Sequence, residues 1–249
     1  MIKSRAIRVL CALLALTMLG GCVTFSIGGG GIGSVTGSGA MATFPVEVET
    51  FNAVSVGGNY RVIYRQAATS SLRVEIQENL FEHMQITVEN GMLRVRSDVN
   101  FNTTAQNTPR LYVYTPYLES LSASGAVDAS GWDTITAPTF SLSVSGAATV
   151  SIPVEVERLY ASVSGSSNIA LSGTADHADL RAAGVVNIEA GELQTKDARI
   201  DVSGAGSIII ACSDTLNVVV SGAASVRYIG DPEVTRRVSG AGSVSQAQR

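Results

Sequence analysis

Asp176-His177-Ala178-Asp179 is the densest group of side chains that could do chemistry in this sequence. A histidine between carboxylates can serve in acid–base catalysis or contribute ligands to a metal ion. Glycoside hydrolysis, however, needs two carboxylates at a set separation, and the other aspartates stand at unrelated positions. We interpret the cluster as a solvated loop and predict no catalytic residue, metal ion or cofactor. A metal or acid–base site is the alternative.

Ligand binding is the other chemistry that these residue types could support. Glycan-binding surfaces usually present exposed aromatic rings, but aromatic residues make up only 6% of this chain. Three rings fall in or near segments of variable sequence and are the candidate platforms: Trp132, Tyr160 and Tyr228. Together with Asp176, His177 and Asp179 they form the predicted ligand surface.

These residues lie among regularly spaced glycines, most often in the context Val-Ser-Gly-Ala. The spacings are 21, 19, 19, 20, 18 and 18 residues, and a period that persists over six steps is the signature of a repeat protein. We expect each glycine at a corner that needs a positive φ or a close approach between copies. The seven glycines are Gly125, Gly146, Gly165, Gly184, Gly204, Gly222 and Gly240.

With the single exception of Arg236, apolar residues, many of them β-branched, stand four and two positions before each glycine and four positions after it. Alternation with period two around a glycine predicts a strand, a tight corner and a second strand in each copy. Such copies stack about 4.8 Å apart as parallel strands with like side chains above one another. The sequence therefore predicts an all-β fold, a right-handed parallel β-helix of about seven short rungs over residues 116–249.

Two polar columns accompany the glycines. A serine stands directly before the glycine in every copy but one, where Ala183 replaces it, and Asp, Thr, Asn or Ser stands three positions after it. Small residues suit a tightly packed corner, which is the interpretation that we favour, with a glycan-binding stripe as the alternative. Arg236 occupies an inward position of the last copy and predicts a partly open last rung.

Residues 46–115 precede the repeats and predict a small β-hairpin unit that caps the first rung. One hairpin is predicted with its turn at Gly57-Gly58-Asn59, and a second with its turn at Glu89-Asn90-Gly91. A single helical turn is expected over 78–83 between them.

Residues 1–21 have the features of an export signal, with basic residues followed by an apolar segment too short to span a membrane. Leu19-Gly20-Gly21-Cys22 resembles the lipobox of bacterial lipoproteins, which implies cleavage before Cys22 and acylation of the new N-terminal cysteine. Val23, in place of aspartate, favours the outer membrane. Residues 22–45 are rich in glycine and serine and predict a flexible tether.

The charge balance excludes one class of partner. The chain has 17 Lys+Arg against 21 Asp+Glu, and Lys196 is the only lysine after the export signal. A nucleic-acid-binding protein needs a clustered basic surface, so we predict no nucleic-acid partner. We expect contact with the membrane through the lipid anchor alone. Cys212 is expected to be buried and without a disulfide partner.

The serial Val-Ser-Gly-Ala units, the Phe-Asn-Ala-Val-Ser-Val segment from Phe51 and the Leu-Tyr-Val-Tyr-Thr-Pro-Tyr-Leu segment from Leu111 together resemble the putative auto-transporter adhesin, head GIN domain family. The resemblance covers 46–249 and implies a β-helical surface or periplasmic protein, often lipid-anchored, with no catalytic residues.

We therefore predict a non-catalytic envelope protein, exported and lipid-anchored at the outer membrane, with an adhesin or scaffold role. Its partner would be an unknown surface protein or glycan, and end-to-end self-association is a further hypothesis. The alternative is a carbohydrate-binding module or a degenerate polysaccharide-active enzyme.

Overall fold

The computed structural model describes residues 33–247. These residues are built almost entirely from β-strands, which confirms the predicted all-β class. The predicted export signal, the lipidation residue Cys22 and the first part of the predicted tether lie outside the described residues.

Over residues 33–115, the N-terminal part of the fold contains eight strands, one α-helical turn and one 3₁₀ turn. Helix α1 (Glu78–Phe81) follows the fourth strand, and a 3₁₀ turn (Ala105–Asn107) precedes the eighth. The strands are β1 (Ser34–Thr36), β2 (Met41–Val46), β3 (Ala53–Gln66), β4 (Ser71–Gln77), β5 (Met84–Glu89), β6 (Met92–Ser97), β7 (Asn100–Asn102) and β8 (Arg110–Thr115).

The repeat part contains β9 (Ser120–Ala129), β10 (Ile135–Ile229), β11 (Glu233–Gly240) and β12 (Ser243–Gln246). β10 is one continuous run of extended backbone of 95 residues, and five of the repeat glycines lie within it. Because so long a run cannot be one straight strand of a small fold, it holds several stacked copies of the repeat.

Neighbouring copies pair in parallel and in register. β9 pairs with β10 so that Gly125 lies opposite Gly146, and β10 pairs with β11 so that Gly222 lies opposite Gly240. Within β10, a Cβ atom added to Gly184 would lie 2.5 Å from the carbonyl oxygen of Gly165. All seven glycines have a positive φ. The seven glycines thus have the positive φ and the close approach between copies that are expected of corners, and we call this stack the glycine column.

The three predicted apolar columns point into the core. In the copy that carries Gly184, the side chains of Leu180, Ala182 and Ile188 are buried. The same three columns are buried in the copies from Leu121 to Val226. Alternation therefore sets which side chains are inside, as expected for strands with one apolar face.

The last copy is partly open, as predicted. Val238, in an inward column, is 40% exposed. The guanidinium of Arg236 donates a hydrogen bond to the carbonyl oxygen of Val244 at 3.0 Å. An inward-facing charge on a terminal strand opposes the addition of another strand. End-to-end self-association stays a prediction, and Arg236 is the residue that would oppose it.

The hairpin predicted at Gly57-Gly58-Asn59 is wrong. β3 continues through these residues and pairs in parallel with β9, with Gly58 opposite Gly125. Gly58 has a φ of 131°, so it forms a corner like those of the repeat instead of reversing the chain. The first stacked copy therefore lies within β3, earlier than the predicted boundary between 115 and 116.

The other edge of β3 is covered by the rest of the N-terminal part. β6 and β8 pair with the two ends of β3, and β4 and β2 continue the sheet beyond β8. The second predicted hairpin, β5–β6, and the helical turn α1 are confirmed, with Asn90 and Gly91 both at positive φ in the hairpin turn. This end of the stack is therefore capped.

The predicted tether 22–45 overlaps two strands, because it contains β1 and all of β2 except its last residue, Val46. β2 pairs antiparallel with β4, and the ring of Phe44 stacks on that of Phe81 with their centroids 4.0 Å apart. β2 was not predicted because the segment before it is rich in glycine and because β2 is stabilised by packing against β4, which is distant in the sequence. β1 pairs in parallel with the short strand β7.

Candidate functional site

Two of the predicted aromatic platforms belong to the core. Trp132 is only 7% exposed, its ring packs on Tyr64, and its Nε1 donates a hydrogen bond to the carbonyl oxygen of Val62 at 2.7 Å. Tyr228 is partly buried against the core. The prediction of Trp132 as a surface platform is therefore wrong, because the first stacked copy, hidden in β3, supplies the surface that covers it.

Tyr160, His177 and Asp179 do come together. They project outward from β10 in two consecutive copies, at positions five and seven before the glycines Gly165 and Gly184. Because these copies stack in register, residues about 19 apart in sequence become neighbours. With outward residues of the adjacent copies they line a cavity of about 240 Å³.

We call this surface the Tyr160 face. Its members are the outward side chains from four copies that line the cavity: Arg158, Tyr160, His177, Asp179, Asp197, Arg199, Thr215 and Asn217. The ring of Tyr160 is 44% exposed, which makes it the exposed aromatic group of this surface.

His177, Asp197 and Thr215 form a chain of polar contacts across three copies. The Nδ1 atom of His177 lies 3.1 Å from Oδ2 of Asp197, and the hydroxyl of Thr215 donates a hydrogen bond to Oδ1 of the same carboxylate. Asp197 thus orients the imidazole through Nδ1 and leaves Nε2 without a hydrogen bond to a described residue.

The charged groups of the face are unequally paired. Asp179 accepts hydrogen bonds from Nε and Nη2 of Arg181 at 3.1 and 3.3 Å, and this contact raises the pKa of the arginine. Arg158 and Arg199, in contrast, form no hydrogen bond or ion pair with any residue that the structure describes. Both carboxylates of the cavity are therefore occupied, while two guanidinium groups are free.

Asp176 does not line this cavity. Its carboxylate lies 2.9 Å from Nζ of Lys196, and this hydrogen bond raises the pKa of the lysine. Both residues border a neighbouring groove of about 370 Å³ that also contains Cys212. Burial raises the pKa of the Cys212 thiol, so this cysteine is a packed side chain and a poor nucleophile.

The pair of His177 and Asp197 has the arrangement of a base and its orienting group. The hydroxyl of Thr215 donates its hydrogen bond to the carboxylate of Asp197 and not to the imidazole. Over residues 33–247, no three His, Cys, Asp or Glu side chains are placed to hold a metal ion. In the same part of the chain, no helix is long and apolar enough to cross a membrane.

A second groove runs beside the glycine column near the capped end. Its volume is about 410 Å³, and it lies between the small side chains Ala126, Ala147 and Ser166 and the loop that contains Thr108. The ion pair of Arg61 and Asp128, with atoms 2.7 Å apart, lies at its border. The polar column predicted from the repeat thus forms part of a groove, whose second wall comes from outside the repeat.

Sequence reasoning missed Arg158, Asp197, Arg199, Thr215 and Asn217 as members of the site. The available signal was the alternation itself, which continues beyond the inward residue four positions before each glycine. Extending it to positions five and seven would have placed these side chains on one outer face.

Comparison with known proteins agrees with the fold. A putative adhesin from Bacteroides fragilis NCTC 9343 superposes with a TM-score of 0.79 at 23% identity, covering 86% of this chain and all of the other. A putative adhesin from Parabacteroides distasonis ATCC 8503 has a TM-score of 0.66 at 19% identity, with coverage of 86% and 100%. At these identities the likeness shows a shared fold.

A protein described as a putative lipid binding protein, from the same Parabacteroides strain, gives a TM-score of 0.64 at 19% identity, with coverage of 86% and 100%. The sequence matches no curated protein. Residues 50–232, well over half of the chain, match a family profile. The chain therefore belongs to the putative auto-transporter adhesin, head GIN domain family.

Proposed function

We propose that this protein is a non-catalytic, lipid-anchored adhesin of the bacterial envelope, and that the Tyr160 face is its contact surface. The observation that carries this proposal is the set of diverse outward side chains, gathered from four copies around an exposed ring. Most of the outward residues directly beside the repeat glycines are, in contrast, Ser or Ala, with Val185 as an exception. A rigid sheet that holds such a surface loses little entropy on binding.

Family membership and the adhesin descriptions of the similar structures support a surface protein of this type. The lipobox-like Leu19-Gly20-Gly21-Cys22 supports export and anchoring through Cys22. With Val23 after the cysteine, we place the protein at the outer membrane.

We also propose that the stacked copies wind as a right-handed parallel β-helix. The parallel, in-register pairing of β9 with β10 and of β10 with β11 supports this winding, and connections between parallel strands of one sheet are almost always right-handed. A crystal structure of residues 33–247 tests the handedness, and a left-handed course would overturn it.

Adhesion is tested on cells that produce the full chain. Retention of these cells on a monolayer of partner cells should exceed that of cells without the protein, and Tyr160→Ser should remove the difference. Tyr117→Ser, at an exposed tyrosine outside the face, is the matched control. If neither substitution changes the retention of the cells, the assignment of the contact surface is wrong.

Anchoring and the lack of catalysis have their own tests. Cys22→Ala should move the protein from the membrane fraction to the soluble fraction, and unchanged partition would overturn the lipid anchor. If the purified chain degrades a polysaccharide and Asp197→Asn abolishes this turnover, the non-catalytic assignment is wrong.

A further inference from the structure

The unpaired charged groups of the Tyr160 face are both positive. Asp179 is held by Arg181, and Asp197 is held by His177 and Thr215. Arg158 and Arg199, which line the same cavity, have no partner among residues 33–247. Since a guanidinium fork matches the two oxygens of a carboxylate, the groups left free by the fold suit an anionic ligand.

The two free arginines stand two copies apart. With a rise of about 4.8 Å per copy, they are separated by about 10 Å along the stack. Tyr160 is in the same copy as Arg158, so its exposed ring lies on the same line of approach. A linear ligand along the stack would meet Arg158 in the first copy of the cavity and Arg199 in the third, with the ring of Tyr160 in the same copy as Arg158.

The surroundings favour a glycan over a peptide. The copies that carry Gly165 and Gly184 lie between other copies, so this face has no free strand edge on which a peptide could add by backbone pairing. Asn217, Thr215 and the free Nε2 of His177 offer side-chain hydrogen bonds of the kind that sugar hydroxyls use. The ring of Tyr160 provides a flat apolar surface for the C–H face of a sugar.

We propose that the Tyr160 face binds an acidic glycan, a chain of sugars that carry carboxylates, with Arg158 and Arg199 on the carboxylates and Tyr160 against a ring. This inference rests on the proposed function and names the ligand class of its contact surface. His177, held by Asp197, positions Nε2 towards a hydroxyl of the same ligand.

The test is a titration of the purified full chain in detergent with three probes: a short oligogalacturonate, its methyl ester and an oligoglutamate peptide. The oligogalacturonate should bind, and Arg158→Gln or Arg199→Gln should each weaken it by about tenfold or more, as loss of a charge-assisted contact predicts. Tyr160→Ser should weaken it by about fivefold to tenfold. The controls Arg227→Gln and Tyr117→Ser, both outside the face, should change the dissociation constant by less than about twofold.

Three other outcomes overturn the inference, and a fourth overturns the proposed function instead. Equal binding of the methyl ester removes the role of the carboxylate, and tighter binding of oligoglutamate than of oligogalacturonate makes the partner a protein. If oligogalacturonate does not bind but Tyr160→Ser still abolishes cell retention, the acidic-glycan proposal is wrong and the adhesin function is supported. If oligogalacturonate binds tightly but Tyr160→Ser leaves cell retention unchanged, the adhesin function is wrong and glycan binding is supported.

Discussion

The glycine column and the Tyr160 face are formed by the same strand, β10, only a few residues apart in each copy. At the column, a Cβ atom would lie about 2.5 Å from backbone of the preceding copy at Gly146 and Gly184, so no other residue fits. At the face, the side chains point to solvent, and Arg, Tyr, His, Asp and Thr all occur. Repetition here marks a backbone constraint, and variation marks the surface that is free to take on a function.

A second corner sharpens this contrast. Gly173 and Gly230 also have positive φ and approach the backbone of the preceding copy, at Val154 and Cys212. The preceding copies place non-glycine residues at the corresponding position. Because some copies have glycine at this corner and other copies have another residue there, the sequence shows no regular pattern at this position.

The largest effect should come from Gly184→Ala. The new Cβ atom would meet the carbonyl oxygen of Gly165 at 2.5 Å, and φ is 104°. Backbone strain and overpacking together should lower the free energy of unfolding by about 4 kcal/mol. Gly131→Ala is the matched control, since φ is 70° but nothing lies within 4 Å, and it should cost about 1 kcal/mol. Urea unfolding followed by circular dichroism measures both, and equal losses would show that close approach is not what selects glycine.

Two adjacent residues of β10 should contribute very differently to stability, because one is buried and the other is exposed. Leu180 is fully buried, and Arg181 is exposed and paired with Asp179. Leu180→Ala should cost about 3 kcal/mol because it leaves a cavity, whereas Arg181→Ala should leave the free energy of unfolding almost unchanged because its ion pair is exposed to solvent. The same urea titration tests the pair. A large loss at Arg181 would mean that the outer face also contributes to stability.

The buried hydroxyl of Tyr60 should link the stability of the fold to pH. Burial raises the pKa of Tyr60 to about 12, so the unfolded chain loses this proton first, at about pH 10. The contribution is complete below about pH 10, and the free energy of unfolding should fall by about 2–3 kcal/mol as the pH rises from about 10 to 12. Tyr60→Phe should flatten this part of the profile, and the exposed control Tyr117→Phe should not. An unchanged slope in Tyr60→Phe would assign the loss to other groups.

The smallest effect is expected in the serine column beside the glycines. The hydroxyl of Ser164 donates a hydrogen bond to the carbonyl oxygen of Val144 at 3.3 Å on the exposed side of the corner. Ser164→Ala and the reverse change, Ala183→Ser, should each alter the free energy of unfolding by less than about 0.5 kcal/mol. Oligogalacturonate affinity should also stay constant. A clear loss of affinity in Ser164→Ala would move the binding surface from the Tyr160 face to the corner.

The sequence alone determined the glycine column, the inward columns and the partly open last copy at Arg236. These features follow from local rules: alternation decides which side chains face inward, and a recurring corner with positive φ admits only glycine. Because each copy obeys the same rules, the signal repeats and can be recognised without the structure.

Only the tertiary structure decided the features that depend on which copies become neighbours. Gly58 belongs to the column although 67 residues separate it from Gly125, its partner in the register. Trp132 is buried under the surface that β3 supplies, and Arg158, His177, Asp197 and Thr215 meet only because four copies stack. The physical reason is that a strand's pattern fixes the direction of each side chain, whereas its neighbours are set by hydrogen bonds to chain segments far away in the sequence.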